Sequence, residues 1–565
     1  LLTIDIHCVI VIYKTVTSLE KIYTLPINKL SCSPQSLILS SYNSIVNQHF
    51  LMTIKGAIAA GHKETAKAAE EILIDGGNAF DAAIAAQFTA CVAEPVLCSL
   101  GGGGFLLADP DGGPKRVYDY FVQTPLNSEN ENIDFKSIIA DFGFAKQEFH
   151  IGAGSIATPG MVKGLFAVYD DLCSLPMKRL IEPAVNLARR GVEINAFQGE
   201  VFDIIKPIYL STEQSRSVFG REEHPGMLKG VGDVQKLTKF ADFLESIALE
   251  GEDLFYRGEV AAKVDTLSRD MGGFLTRDDF ESYRVAKRKP LHLSHLNRDI
   301  YLNPPPSSGG ILIAFAMKLL SSLSPAHRPQ NDVEWSLIIS LLQEATEKAR
   351  VDMMVRNPDS DAAKILDIDS VNTYKREILD KKESFRGTTH ISIIDGKGNI
   401  ASLTLSNGEG SGLLVPGTEI MLNNMLGEED LNPDGFHRWQ PNSRMTSMMT
   451  PGIAIDKSDG IIAFGSGGST RIRTAILQLL IHIFDRGLDL ESAVMEPRLH
   501  AESGFLHLEQ GLAKTVVLAL KKNYPNHRCW DKKSLFFGGT HVAEKIGKTF
   551  KAVGDPRRGG VSIIL

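Results

Sequence analysis

The stretch FRGTTHISIIDGKGNIASLTLSNGEGSG, Phe385 to Gly412, decides how the rest of the chain is read. Two apolar, β-branched runs, TTHISII and NIASLTLS, flank Asp395-Gly396-Lys397-Gly398, which predicts two strands joined by a hairpin. At the mouth of the first strand Gly387 precedes two threonines, Thr388 and Thr389. Threonine packs well on a pleated surface, so propensity alone makes both of them strand residues. The other reading is that one hydroxyl is a nucleophile, and the surrounding sequence has to choose.

Downstream the pattern repeats. GIAIDKSDGIIAFGSGG folds by the same logic around Ser458-Asp459-Gly460, a helix is predicted from Thr470 to about Asp485, and GGVSIIL is a closing strand. Upstream, Lys63 to Asp75 has helical spacing and stops at Gly76-Gly77, after which Asn78 can cap a second helix. That second segment, AFDAAIAAQFTACVAEP, is small and apolar on nearly every face, as a helix buried on all sides must be. LGGGGFLLADPDGGPKRVYDY predicts a close backbone approach followed by a hairpin. It lacks the lysine ending of a phosphate loop, so nucleotide binding is set aside. From Ala157 to about Leu320 helices dominate. Asp278 and Asp279 follow Thr276 and are predicted to cap a helix rather than to catalyse, and Ser307 and Ser308 in NPPPSSGG are predicted N-caps. Helices first and strands later, with Gly-rich hairpins in both halves, predict a layered α/β arrangement with largely antiparallel sheets.

The chain has 565 residues, 43% hydrophobic, with a formal net charge of -8 and scattered Lys and Arg. That composition is globular and gives no reason to expect a nucleic-acid partner. Cys8, Cys32, Cys91, Cys98, Cys173 and Cys529 form no C-x-x-C pair, so free thiols are expected rather than a disulfide framework or a zinc site. Residues 1–51 differ in character from the rest of the chain. Their apolar run is too short to span a bilayer and lacks the marks of a signal peptide. Met52 is therefore the expected start, residues 1–51 a non-native or disordered extension, and the compartment the cytoplasm.

Several blocks now stand in order: GGNAFDAAIAA, LGGGGF, ATPG, LFYRGE, PPPSSGG, GTTHISIIDGKGN, LNNM, GSGGSTRIRTAI and GDPRRGG. Together they resemble the gamma-glutamyltransferase family of N-terminal nucleophile hydrolases over about nine tenths of the chain. The resemblance implies an α+β fold, a four-layer αββα sandwich. It also implies a precursor that cuts itself between Gly387 and Thr388. The Thr388 hydroxyl would attack the Gly387 carbonyl, an N-to-O shift would make an ester, and water would release a chain beginning at Thr388. Glycine offers little resistance to a strained peptide there. The freed α-amine, with a pKa of about 7.7 to 8.0, is a base beside its own hydroxyl. Residues 52–387 would be the large subunit and 388–565 the small one. Thr389 and His390 would be structural.

The family pattern implies further roles. Gly467 and Gly468 match an oxyanion-binding turn, with Gly468-Ser469 as the alternative register. Ser406 matches a hydroxyl placed against the threonine. For the donor, Asn407, Thr446, Ser447 and Glu428 match binding residues, with Glu429 as the alternative to Glu428, and Met425 stands where glutamine is usual. The largest departure is Phe121, where an arginine would grip the donor carboxylate; Arg116 and Arg444 are the candidate substitutes. The implied reaction passes a gamma-glutamyl group, from glutathione or a related amide, to water or an amino acceptor through acyl-Thr388, with no cofactor or metal. Two readings stand beside it: an N-terminal threonine amidase for another acyl group, closer to cephalosporin-acylase-like relatives, and a non-catalytic binding relative.

Overall fold

The computed structural model describes residues 55–141, 146–224, 226–323, 328–356, 387–432 and 434–565. The extension 1–51 and a start at Met52 lie outside them. In the two large sheets, the chain before Gly387 supplies β1 (Gly56–Ala60), β2 (Gly103–Asp109), β3 (Arg116–Tyr120), β4 (Ala286–Arg288), β5 (Leu291–His295) and β6 (Arg298–Leu302). After Gly387 come β7 (Thr389–Asp395), β8 (Ile400–Ser406), β9 (Gly452–Asp456), β10 (Gly460–Gly467), β11 (Gly539–Ile546), β12 (Thr549–Val553) and β13 (Val561–Ile564).

Among the described residues the first sheet has seven strands in the order β13-β1-β7-β8-β2-β3-β4, and the second has six in the order β12-β11-β10-β9-β6-β5. Neighbours within both are antiparallel. The sheets face each other through β7 and β8 against β10 and β11. On the outer face of the first sheet lie α1 (Lys63–Ile74) and α2 (Ala79–Ala93), with α3 (Met177–Arg190) packed on α2. On the outer face of the second lie α4 (Gly309–Ser321) and α6 (Arg471–Phe484), with α5 (Asp332–Arg356) against α4. This is an α+β protein in four layers, αββα.

The layering explains the strand sequences. With helices on one side and a sheet on the other, every residue of β2, β7 and β8 is buried. Polar residues there must therefore pair inside the core. His390 bridges Thr404 Oγ1 at 2.8 Å and Ser392 Oγ at 3.0 Å, and burial holds its imidazole well below the usual range. Gly465 of the facing sheet lies against that ring, with room for no side chain: a Cβ there would come within 2.2 Å of it.

Local chemistry sets the helix ends. The Asn78 side chain accepts from the amides of Phe80 (2.8 Å) and Asp81 (2.9 Å), while the Asp81 carboxylate accepts from the Asn78 amide, a closed capping box. Helix α2 is buried along its whole length. Asp279 closes a capping box with Thr276, and Asp278 stands exposed in the same first turn. Ser308 does occupy the N-cap position of α4, but its helical backbone angles turn the hydroxyl away from the helix amides. The hydroxyls of Ser307 and Ser308 instead donate to the Ser447 carbonyl, at 2.8 and 3.2 Å. Gly102 packs on the Ser406 carbonyl, which a Cβ would meet at 2.3 Å, so the four-glycine run is a close backbone approach beneath the β8 loop. Among the described residues no helix is long and apolar enough to cross a membrane, and no cluster of His, Cys, Asp or Glu is placed to hold a metal.

Candidate active site

Strand β7 delivers Thr388 to the centre of the first sheet, just before Thr389 pairs with Leu405 of β8. Thr388 is buried, and its carbonyl accepts from Arg558 Nη1 at 3.3 Å. The Gly387 carbonyl, the acyl side of the candidate scissile bond, accepts from Ser406 Oγ at 2.8 Å, and the Gly387 amide donates to Glu409 Oε1 at 2.7 Å. Ser406 is thus aimed at the carbonyl of the candidate scissile bond, where a donor would withdraw electron density from the carbonyl carbon. The Gly408 amide fixes the same hydroxyl at 3.1 Å.

The turn after β10 closes the other side. Gly467 packs on the Thr388 carbonyl so closely that a Cβ would lie 2.2 Å from its oxygen. Gly468 has φ +123 and Ser469 φ +54, a left-handed turn that leads directly into α6. The first amides of a helix have no carbonyl of their own helix to donate to, which suits such a turn to a developing oxyanion. Arg558 borders both glycines, 3.3 and 3.2 Å from where Cβ atoms of Gly467 and Gly468 would stand. Burial pushes its guanidinium down to about 10, against the opposing pull of Glu409 and Asp555.

Behind Thr388, Thr389 Oγ1 and Thr65 Oγ1 donate to opposite oxygens of Glu94, at 2.7 and 2.8 Å. Glu94 sits at the C-cap of α2, and burial pushes its carboxyl up to about 7 although both hydroxyls act to lower it.

On the donor side the structure separates the expected residues. Asn407 is buried, and neither polar atom of its side chain has a hydrogen-bond partner among the described residues. Glu428 is buried behind Gly408, its Oε1 only 2.2 Å from where a Cβ of Gly408 would lie, whereas Glu429 is exposed. Met425 belongs to the apolar core. The described bonds of Thr446 and Ser447 run elsewhere: Thr446 Oγ1 donates to the Pro306 carbonyl at 2.9 Å, and Ser447 Oγ accepts from the Met449 amide at 3.1 Å. Neither candidate arginine replaces the one missing at Phe121, whose ring stacks on Phe105 at 5.5 Å. Arg444 pairs with Asp119 at 3.3 Å and donates to the Phe121 carbonyl and the Tyr283 hydroxyl, and Arg116 lies 3.6 Å from Asp171 at the surface.

Three residues at this centre are not legible in the sequence: Glu94, Glu409 and Arg558. Arg558 stands inside the GDPRRGG block while Glu94 and Glu409 fall between blocks, and nothing in the spacing says which way a buried charge points.

The profile described as gamma-glutamyltranspeptidase matches residues 65–565. The chain belongs to the gamma-glutamyltranspeptidase family. It is 28% identical over 557 residues to a glutathione hydrolase proenzyme of Bacillus subtilis strain 168, covering 90% of this chain and 91% of that protein. It is 27% identical over 492 residues to an acylase ACY 1 proenzyme of Pseudomonas sp. strain SE83, covering 82% and 86%. Among solved structures, a cephalosporin acylase from Bacillus halodurans superposes with a TM-score of 0.78 at 21% identity, covering 96% of this chain and 98% of that one. That likeness is one of fold.

Proposed function

We propose that this family member is a self-processing gamma-glutamyl hydrolase or transferase that works through an ester on Thr388. The observation that carries the reading is the environment of one peptide bond. The Gly387 carbonyl is held by Ser406, and the next carbonyl lies between Gly467 and Arg558. In the first turnover the Thr388 Oγ bonds to the Gly387 carbon and the C–N bond breaks. The nitrogen, now the Thr388 α-amine, takes the hydroxyl proton. Water then cleaves the ester, leaving Gly387 as a carboxylate and Thr388 as an N-terminus. Later turnovers repeat the chemistry on a donor amide such as glutathione, with the α-amine as base and the Gly467-Gly468-Ser469 turn facing the oxyanion. Asn407 and Glu428 border the donor site; Thr446 and Ser447 support it through the Pro306 turn.

A denaturing gel followed by a γ-glutamyl-p-nitroanilide assay tests this. The parent should resolve into two bands, the smaller with threonine at its N-terminus, and release p-nitroaniline. A parent that stays in one band on prolonged incubation, as Thr388→Ala should, would overturn the reading. One observation favours a different acyl group on the same machinery: with Phe121 in the core and Arg444 committed to Asp119, neither position supplies the usual arginine grip on the donor carboxylate. Under that second reading, Phe121→Arg leaves γ-glutamyl KM unchanged; under the first it lowers it.

A further inference from the structure

In the uncut chain Gly387 is itself an acyl group about to be passed to Thr388, so its surroundings show what a donor's acyl group meets. This inference rests on the reading that Thr388 carries the acyl group in that slot. A substituent built on the Gly387 α-carbon in the side-chain direction meets three oxygens: the Gly408 carbonyl at 2.9 Å, the Val96 carbonyl at 2.9 Å and Glu409 Oε2 at 3.0 Å. The α-carbon's other substituent, the Gly387 nitrogen, donates to Glu409 Oε1 at 2.7 Å. Val96 and Gly408 are buried, and neither carbonyl accepts a backbone hydrogen bond among the described residues. Buried carbonyls ordinarily have a donor.

Three oxygens converging at these lengths crowd a methyl group, but they are at hydrogen-bonding distance for a nitrogen carrying three protons. Charge agrees with geometry. Arg558 lies near enough to offset Glu409 in part, while Glu428 stands behind Gly408 and adds a second carboxylate.

We propose that Val96 O, Gly408 O and Glu409 form an ammonium subsite, and that the enzyme also hydrolyses amides of acyl donors bearing a primary ammonium on the carbon next to the reacting carbonyl. In that reaction Thr388 Oγ bonds to the acyl carbon and the amide C–N bond breaks. The hydroxyl proton reaches the departing amine by way of the Thr388 α-amine. Water then frees the amino acid and restores the hydroxyl.

The test uses the cleaved parent protein and two anilides of nearly the same shape, glycyl-p-nitroanilide and propionyl-p-nitroanilide, with γ-glutamyl-p-nitroanilide as reference. The glycyl donor should exceed the propionyl donor in kcat/KM by about tenfold or more below pH 7, as expected for charge-assisted hydrogen bonds. The ratio should shrink as pH rises past about 8, where the donor amine loses its proton. Glu409→Gln should bring the ratio near one. If that variant remains uncut, glycinamide should inhibit the parent at least about tenfold better than propionamide. A propionyl donor as good as the glycyl one, a ratio unchanged in Glu409→Gln, or equal inhibition by the two amides overturns the subsite. Turnover of the γ-glutamyl donor alone overturns the subsite and leaves the γ-glutamyl reading standing. A cleaved protein that turns over none of the three ends both.

Discussion

At the scale of single residues the active centre is a set of hydroxyls and charges that a strand sequence does not announce. Ser406 donates to the Gly387 carbonyl, and in the proposed cleavage its loss removes a donor from the oxygen on which charge develops. Ser406→Ala should therefore slow precursor cleavage by about 10²-fold, the usual cost of one oxyanion donor, followed as the decay of the uncut band with time. Glu94 leads to a prediction about pH. Its carboxyl titrates near 7 when folded, against 4.5 for the ordinary group, because burial opposes its charge. The folded chain thus keeps a proton that the unfolded chain has lost between those values, and stability falls as pH rises through that window. Glu94→Gln cannot ionise and should lose this share of the slope, roughly 3 kcal/mol between pH 4.5 and 7.5. Urea midpoints of parent and variant at both pH values check it; parallel slopes would rule the assignment out.

Elements carry these residues to one place. The capping box at Asn78 starts α2, whose far end presents Glu94 beneath Thr389, so a side chain at one end of the helix fixes the frame for a carboxylate at the other. Asn78 also donates to the Leu172 carbonyl at 2.8 Å. Asn78→Ala should cost about 1 to 2 kcal/mol of stability, read from a denaturant midpoint, with the cleaved and uncut bands of the gel unchanged. The helices, hairpins and caps of this level were legible in the sequence, because periodicity, Asn-Asp caps and Gly-rich turns are local signals. Ser307 and Ser308 show the limit. Their sequence context predicts caps, but the neighbouring chain at Ser447 offers its carbonyl, and that competition is set by tertiary packing.

Over the whole molecule, segments before and after Gly387 share both sheets and interleave in the first. β1 lies between β13 and β7, and β2 pairs with β8, so cutting one bond leaves every strand pairing in place. The cleaved protein should elute from a sizing column under native conditions as one particle of the precursor's size, and give two bands only in denaturant. Separate elution of the pieces would contradict the interleaved sheets. By itself the sequence determined the family, the order of helices and hairpins and the αββα layering, because these depend on local periodicity and on ordered blocks. The tertiary structure alone decided that Ser406 faces the Gly387 carbonyl, that Arg444 is committed to Asp119, and that Glu94, Glu409 and Arg558 converge on the stretch from Gly387 to Thr389. Glu94 and Arg558 are positioned by partners 295 and 170 residues away, Thr389 and Thr388, and no spacing along the chain encodes such a contact.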